Sequence, residues 1–226
     1  MSADSSDSAA LAGDKDETST ERLVTLSDGV VAIALTLLIL GIQVPSPEGL
    51  RDPDSISALA DALAKTVDGW ISYAISFYVI AKFWLIHRRV FRGIRGHAGG
   101  LAFWNFLFLF TISVMPFTSE LVGRWADNPL SVIIFSLNLI LANVATYGVL
   151  TFSRRQRLLT VQGAGVLERY RSLEGVISMG FYVLAIPVAL VSPAVGKLCW
   201  AGLAIAPGIA SRITKYRAGR RAASGR

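Results

Sequence analysis

Four long apolar runs, Leu23–Val44, Val67–Ile86, Ala98–Val122 and Pro129–Phe152, restrict the fold of this chain more than any other feature. Each supplies the roughly 20 predominantly apolar residues that a helix needs to cross a hydrocarbon core. Two shorter runs follow, Leu173–Val191 and Ala194–Ile209, and these contain Pro187 and Pro207. Pro193 between them marks a tight connection, as expected of a helical hairpin. Charged residues make up 17% of the chain, against about a quarter in a soluble domain, and they cluster between the runs. A single soluble domain is excluded. The predicted fold is all-α: a six-transmembrane-helix membrane protein with one six-helix unit per chain.

Lysine and arginine set the expected orientation, because short cytoplasmic loops are enriched in them. Arg88, Arg89, Arg92 and Arg95 follow the second run, and Arg154, Arg155, Arg157, Arg169 and Arg171 follow the fourth. Arg212, Lys215, Arg217, Arg220, Arg221 and Arg226 close the chain. With Lys15 and Arg22, 17 of the 22 basic residues fall on one side. The other side holds 4: Arg51, Lys65, Arg124 and Lys197. Lys82 lies close enough to the cytoplasmic end of the second span to snorkel. An odd number of spans would break this alternation. A multi-pass protein of the cell membrane is predicted, with both termini in the cytoplasm.

Residues 1–21 hold six acidic residues against one lysine and lack an apolar core. They have neither the basic start nor the apolar stretch of a secretory signal, and are expected to be a disordered acidic cytoplasmic tail. Residues 22–211 form the transmembrane domain, and residues 212–226 a basic cytoplasmic tail. The net charge of +6 sits beside apolar spans, where anionic lipid headgroups are the natural partner rather than nucleic acid. The segment from Pro45 to Thr66 carries Glu48, Asp52, Asp54 and Asp61. It reads either as a solvated loop or as an acidic mouth that gathers cations. Cys199, the one cysteine, excludes an internal disulfide and reads as a small packing residue. With two histidines and no HExxH, Walker or GxSxG motif, neither an enzyme nor a cofactor is expected.

Asp28 is the most informative polar residue. A carboxylate inside a membrane helix costs about 2.5 to 3.5 kcal/mol on insertion scales and normally faces protein or water. It is either a structural hydrogen-bond centre or a proton or ion ligand. At about 100° per residue, Leu26, Gly29, Ile33, Thr36, Leu37 and Leu40 share one stripe of the first helix. Asp28 lies about 140° from Ile33, so an unkinked helix cannot turn both toward one pathway. Gly29, Ala32 and Ala34 are small and permit close helix approach. The first helix therefore reads as central, packed on several sides.

The run Arg22-Leu-Val-Thr-Leu-Ser27-Asp28-Gly resembles the start of the first helix in the transmembrane protein 175 family of cation channels. The similarity continues in Phe83-Trp84-x-x-His87-Arg88-x-x-Phe91, in Asn105 and in Met115-Pro116-Phe117. It covers residues 22 to 122, with the motifs in order. The resemblance implies a potassium-permeable, weakly selective channel, with helix 1 lining a central pore of a homotetramer. Potassium, with other monovalent cations, would be the permeant ions; membrane lipids and other copies of the chain would be the partners. Carried over from the Ser27-Asp28 pair, the constriction falls at Ile33, with Thr36 next and Leu40 a turn further out, and Leu37 beside them. Arg22, Ser27, Asp28, Trp84, His87 and Asn105 would form a polar cluster bracing helix 1 on helices 2 and 3. Leu26 stands where the family usually has Phe. A proton-linked secondary transporter, a proton-conducting member of the same family and a non-conducting scaffold remain alternatives.

Overall fold

The computed structural model describes residues 3–48, 52, 54–96, 98–171 and 173–200, with side chains from residue 20 onward except at 173–175. Seven α-helices occur among them. They are α1 (Ala3–Leu37), α2 (Ile56–Ala64), α3 (Val67–Arg92), α4 (Gly99–Arg124), α5 (Pro129–Arg155), α6 (Val161–Arg171) and α7 (Leu173–Val191). Residues 193–200 are helical as well.

Four helices are long and apolar enough to cross a membrane: Thr20–Gly41, Val67–Arg92, Gly99–Arg124 and Pro129–Arg155. They coincide with the four clear runs of the sequence, and the chain is a membrane protein. The fifth expected span corresponds to α7. It forms a bent pair with α6, the two meeting at 41°. Most of the sixth expected span lies outside the described residues. The acidic N-terminal segment, expected to be irregular, continues the α1 helix back to Ala3.

Local chemistry sets the helix ends. α1 tightens into a 3-10 turn at Leu38–Gly41, and Pro45 and Pro47 follow before another turn can form. Asn128 caps α5, its side chain accepting from the Leu130 N–H at 2.9 Å, with Pro129 at the first helical position. α3 has Asp68 in its first turn and Arg89 and Arg92 in its last, complementing the helix dipole at both ends.

α4 packs most extensively on α5, and α1 and α3 lie against α4. Their core joins Val31 and Ala34 of α1, Ile80 and Phe83 of α3, Phe108 and Ile112 of α4, and Phe135 and Leu139 of α5. Gly148 of α5 lies under the Trp104 indole of α4, in space that a Cβ would occupy.

One end of the bundle gathers the arginines. The segments after α3 and α5 pair through an antiparallel bridge between Ile94 and Leu159. The Arg95 N–H donates to the Leu158 carbonyl and the Thr160 N–H to the Gly93 carbonyl, each at 2.9 Å. Gly93 and Gly163 touch backbone to backbone, so a Cβ on either would collide with the other. The Thr20 hydroxyl of α1 donates to the Gly96 carbonyl at 3.0 Å. The N-terminal side of the first span therefore shares an end with the two basic segments, as the alternation of loop charge requires.

Two helices were not evident from hydropathy. α2 occupies the acidic segment expected to be a loop, and exposes Ile56, Leu59 and Leu63 on one side. α6 occupies most of the basic segment after α5.

Candidate functional site

Ser27 and Asp28 are adjacent in α1, yet they serve different networks on α3 and α4. Ser27 is fully buried and donates to the Leu23 carbonyl of its own helix at 2.7 Å. Its oxygen accepts from Asn105 Nδ2 of α4 at 3.1 Å. Asn105 Oδ1 in turn lies 2.8 Å from His87 Nε2 of α3. If that nitrogen carries the proton, all three residues are satisfied in sequence: imidazole to amide, amide to hydroxyl, hydroxyl to backbone. His87 Nδ1 is buried with no partner, a position tolerable for a lone pair and costly for an N–H. The pattern therefore assigns the neutral Nε2–H tautomer. The ring stacks on Phe108 at 4.8 Å and lies 4.4 Å from Phe91, centroid to centroid.

Asp28 is half-buried at the edge of the same helix contact. Its Oδ1 accepts from Trp84 Nε1 at 2.7 Å, a charge-assisted bond of the stronger kind. The Arg88 guanidinium lies 4.8 Å from the centroid of the Trp84 ring. Cation, indole and carboxylate thus form a chain from α3 to α1, the arginine reaching the indole from one helical turn away.

Five of the six expected cluster residues meet in these two networks. Arg22 does not. It is exposed, and it makes no hydrogen bond or ion pair among the described residues. Its position explains why: it precedes Ser27 by five residues, which is about 140° around the helix. Arg88 was not anticipated in the cluster, although its spacing of four from Trp84 was a usable signal.

The stripe opposite Ser27 is open. Leu26, Ile33, Leu37 and Leu40 are 44%, 60%, 43% and 72% exposed. Gly29 and Thr36 are exposed between them. The Thr36 hydroxyl donates to the Ile33 carbonyl at 2.8 Å. Its proton is committed to the helix, and its oxygen lone pairs remain available outward.

Residues 22–116 match the family described as endosomal/lysosomal potassium channel TMEM175, and the match begins at Arg22 and contains every residue of both networks. The first three spans thus resemble those of the TMEM175 family. A chain of Streptomyces collinus named a potassium channel is 34% identical over 104 residues, covering 46% of this chain and 48% of its own. The human chain named endosomal/lysosomal proton channel TMEM175 is 32% identical over 114 residues, covering 49% of this chain and 22% of its own. This chain matches about half the length of the Streptomyces collinus chain and of a Chamaesiphon minutus chain also named a potassium channel. The crystal structure of a lysosomal potassium-selective channel TMEM175 homologue from Chamaesiphon minutus superposes with a TM-score of 0.70. It covers 86% of this chain and 98% of that one at 21% identity, a likeness of fold.

The TMEM175 match ends inside α4, at Pro116. α5, α6 and α7 lie beyond it, although a Chryseobacterium chain named a potassium channel is 28% identical over 177 residues, 76% of this chain. Both networks and the open stripe fall within the matched segment.

Proposed function

We propose that this chain forms a potassium-permeable, weakly selective cation channel, four copies placing α1 around a central pore. The observation that carries the proposal is the open apolar stripe of α1, set opposite a face pinned by hydrogen bonds to α3 and α4. A helix fixed on one side presents the other in a constant direction, as a constriction requires. The likeness to chains named potassium channels supports the same reading.

A ring of four Ile33 side chains excludes water and raises the barrier to an ion. Thr36 follows one turn on. Its hydroxyl donor is already satisfied, so it offers acceptor oxygen to a partly dehydrated cation. Leu37 and Leu40 extend the apolar wall toward the other end. Potassium sheds water more readily than sodium, which gives this arrangement a modest potassium preference. The hydrogen-bonded networks support the pore helix and lie off the conduction path.

Passive potassium efflux from proteoliposomes under a potassium gradient tests the channel. Wild-type flux without any proton gradient, changed by Ile33→Asn, is the expected result. Flux that needs a proton gradient and is abolished by Asp28→Asn would instead identify a proton-linked transporter. The likeness to a human chain named a proton channel favours one addition, proton permeation through the same pore. Acidification of the liposome lumen under a potassium diffusion potential measures it.

A further inference from the structure

A cavity of about 600 Å³ lies between α3, α5, α6 and α7, away from the open face of α1. Along α3 it runs from Tyr78 to Arg89, about 16 Å at the α-helical rise. That is close to half of the roughly 30 Å hydrocarbon core, the depth of one leaflet. α6 supplies a single face to it, through Gln162, Gly165, Val166 and Arg169.

At the arginine-rich end of the bundle, Gln162 also lines a second cavity with Arg92, Arg95 and Arg157. The slot and the arginine cleft therefore adjoin at Gln162. Three guanidiniums gather in the cleft, with Arg89 and Arg169 in the wall of the slot beside it. Neither lining includes an aspartate or a glutamate among the described residues. Further into the slot the wall is mostly apolar and aromatic, with Leu85, Ile86, Tyr78 and Tyr182, and Lys82, Asn143 and Ser178 are its polar members there. Gly93 and Gly163 hold α6 against the end of α3, which keeps the two cavities in register.

A slot one leaflet deep, cationic where it meets the polar end and apolar further in, has the polarity of a phospholipid. We infer that it binds an anionic phospholipid from the leaflet at the arginine-rich end. The phosphate sits at the boundary marked by Gln162, between Arg89 and Arg92, and an acyl chain lies along Leu85 and Ile86. Basic pockets between spans at the cytoplasmic face suit such headgroups. The site is separate from the pore reading and stands or falls without it.

Native mass spectrometry on the detergent-purified protein, with phosphatidylglycerol and phosphatidylcholine of matched chains, tests the site. Wild type is expected to retain phosphatidylglycerol preferentially, and R89Q/R92Q to lower that retention about ten-fold. R154Q/R155Q removes the same charge at the same end from residues that line neither cavity, and is expected to leave retention unchanged. Gly165 has open space where a Cβ would stand, so Gly165→Leu fills the slot without disturbing the helix and should displace both lipids. Equal retention of the two lipids by wild type would overturn the inference, as would an equal loss in R154Q/R155Q. Displacement of phosphatidylglycerol by millimolar sn-glycerol 3-phosphate would also overturn it, identifying a soluble phosphate ester as the occupant.

Discussion

The face of α1 that packs against α3 and α4 carries Ser27, Val31 and Ala34, with Leu38 buried just past its end and Leu35 partly buried beside it, whereas the open face carries Leu26, Ile33, Leu37 and Leu40. A surface helix of a water-soluble protein is arranged the other way, with its large apolar side chains turned inward. In a bilayer the lipid already solvates apolar side chains, so their burial adds little to helix association. Close approach of small residues and interhelical hydrogen bonds take over. The packed face is therefore where stability resides, and the open face is where substitutions are cheap for the fold and consequential for what passes it.

That contrast makes predictions of different kinds for the two faces. The largest effect on folding belongs to Asn105, which links Ser27 and His87. Asn105→Leu leaves the buried His87 Nε2–H without a partner, at about 1 to 3 kcal/mol, while Ser27 keeps its bond to the Leu23 carbonyl. Thermal denaturation followed by size-exclusion chromatography should show a large drop in the midpoint, and no drop would mean that the network carries no stability. On the open face, Ile33→Asn should leave that midpoint nearly unchanged while altering potassium flux about ten-fold, equivalent to about 1.4 kcal/mol in barrier height. A large fall in stability with unchanged flux would assign Ile33 to packing and break the comparison. Back on the packed face, Trp84→Phe keeps a ring beneath Arg88 but removes the donor to Asp28. The expected cost is about 1.5 kcal/mol, readable as a modest midpoint shift, and Asp28→Asn should reproduce most of it if the indole is the main partner.

Hydropathy made the four long spans legible because each has enough apolar residues to reach across a bilayer. The helical period likewise separates Asp28 from the Ile33 stripe. α6 was not legible, because Gly163 and Gly165 lower its helix propensity and its arginines read as loop charge. α2 was missed through its length, too short for a span and set among acidic residues. Arg22 shows a different limit. A motif gives residue identities in order, but whether they meet depends on their angles around the helix, and Arg22 stands well round from Ser27. The slot between α3 and α6 could not be read from sequence, since it exists only once two segments distant in the chain pair through Ile94 and Leu159.

The smallest predicted effect is also the one that most sharpens the account of the open face. Thr36 donates its proton to the Ile33 carbonyl, so Thr36→Ala removes an oxygen acceptor and leaves the main-chain helix bonds in place. The fold should hardly respond, because the lost bond is a local one on an exposed face. Ion preference should respond, since one of the few polar atoms on the proposed path disappears while the Ile33 ring stays. The reversal potential under bi-ionic potassium and sodium is expected to move toward zero. Thr36→Ser, which retains the oxygen, should hold it near the wild-type value. If Thr36→Ala and wild type give the same reversal potential, the preference must arise at Ile33 alone, by dehydration rather than coordination.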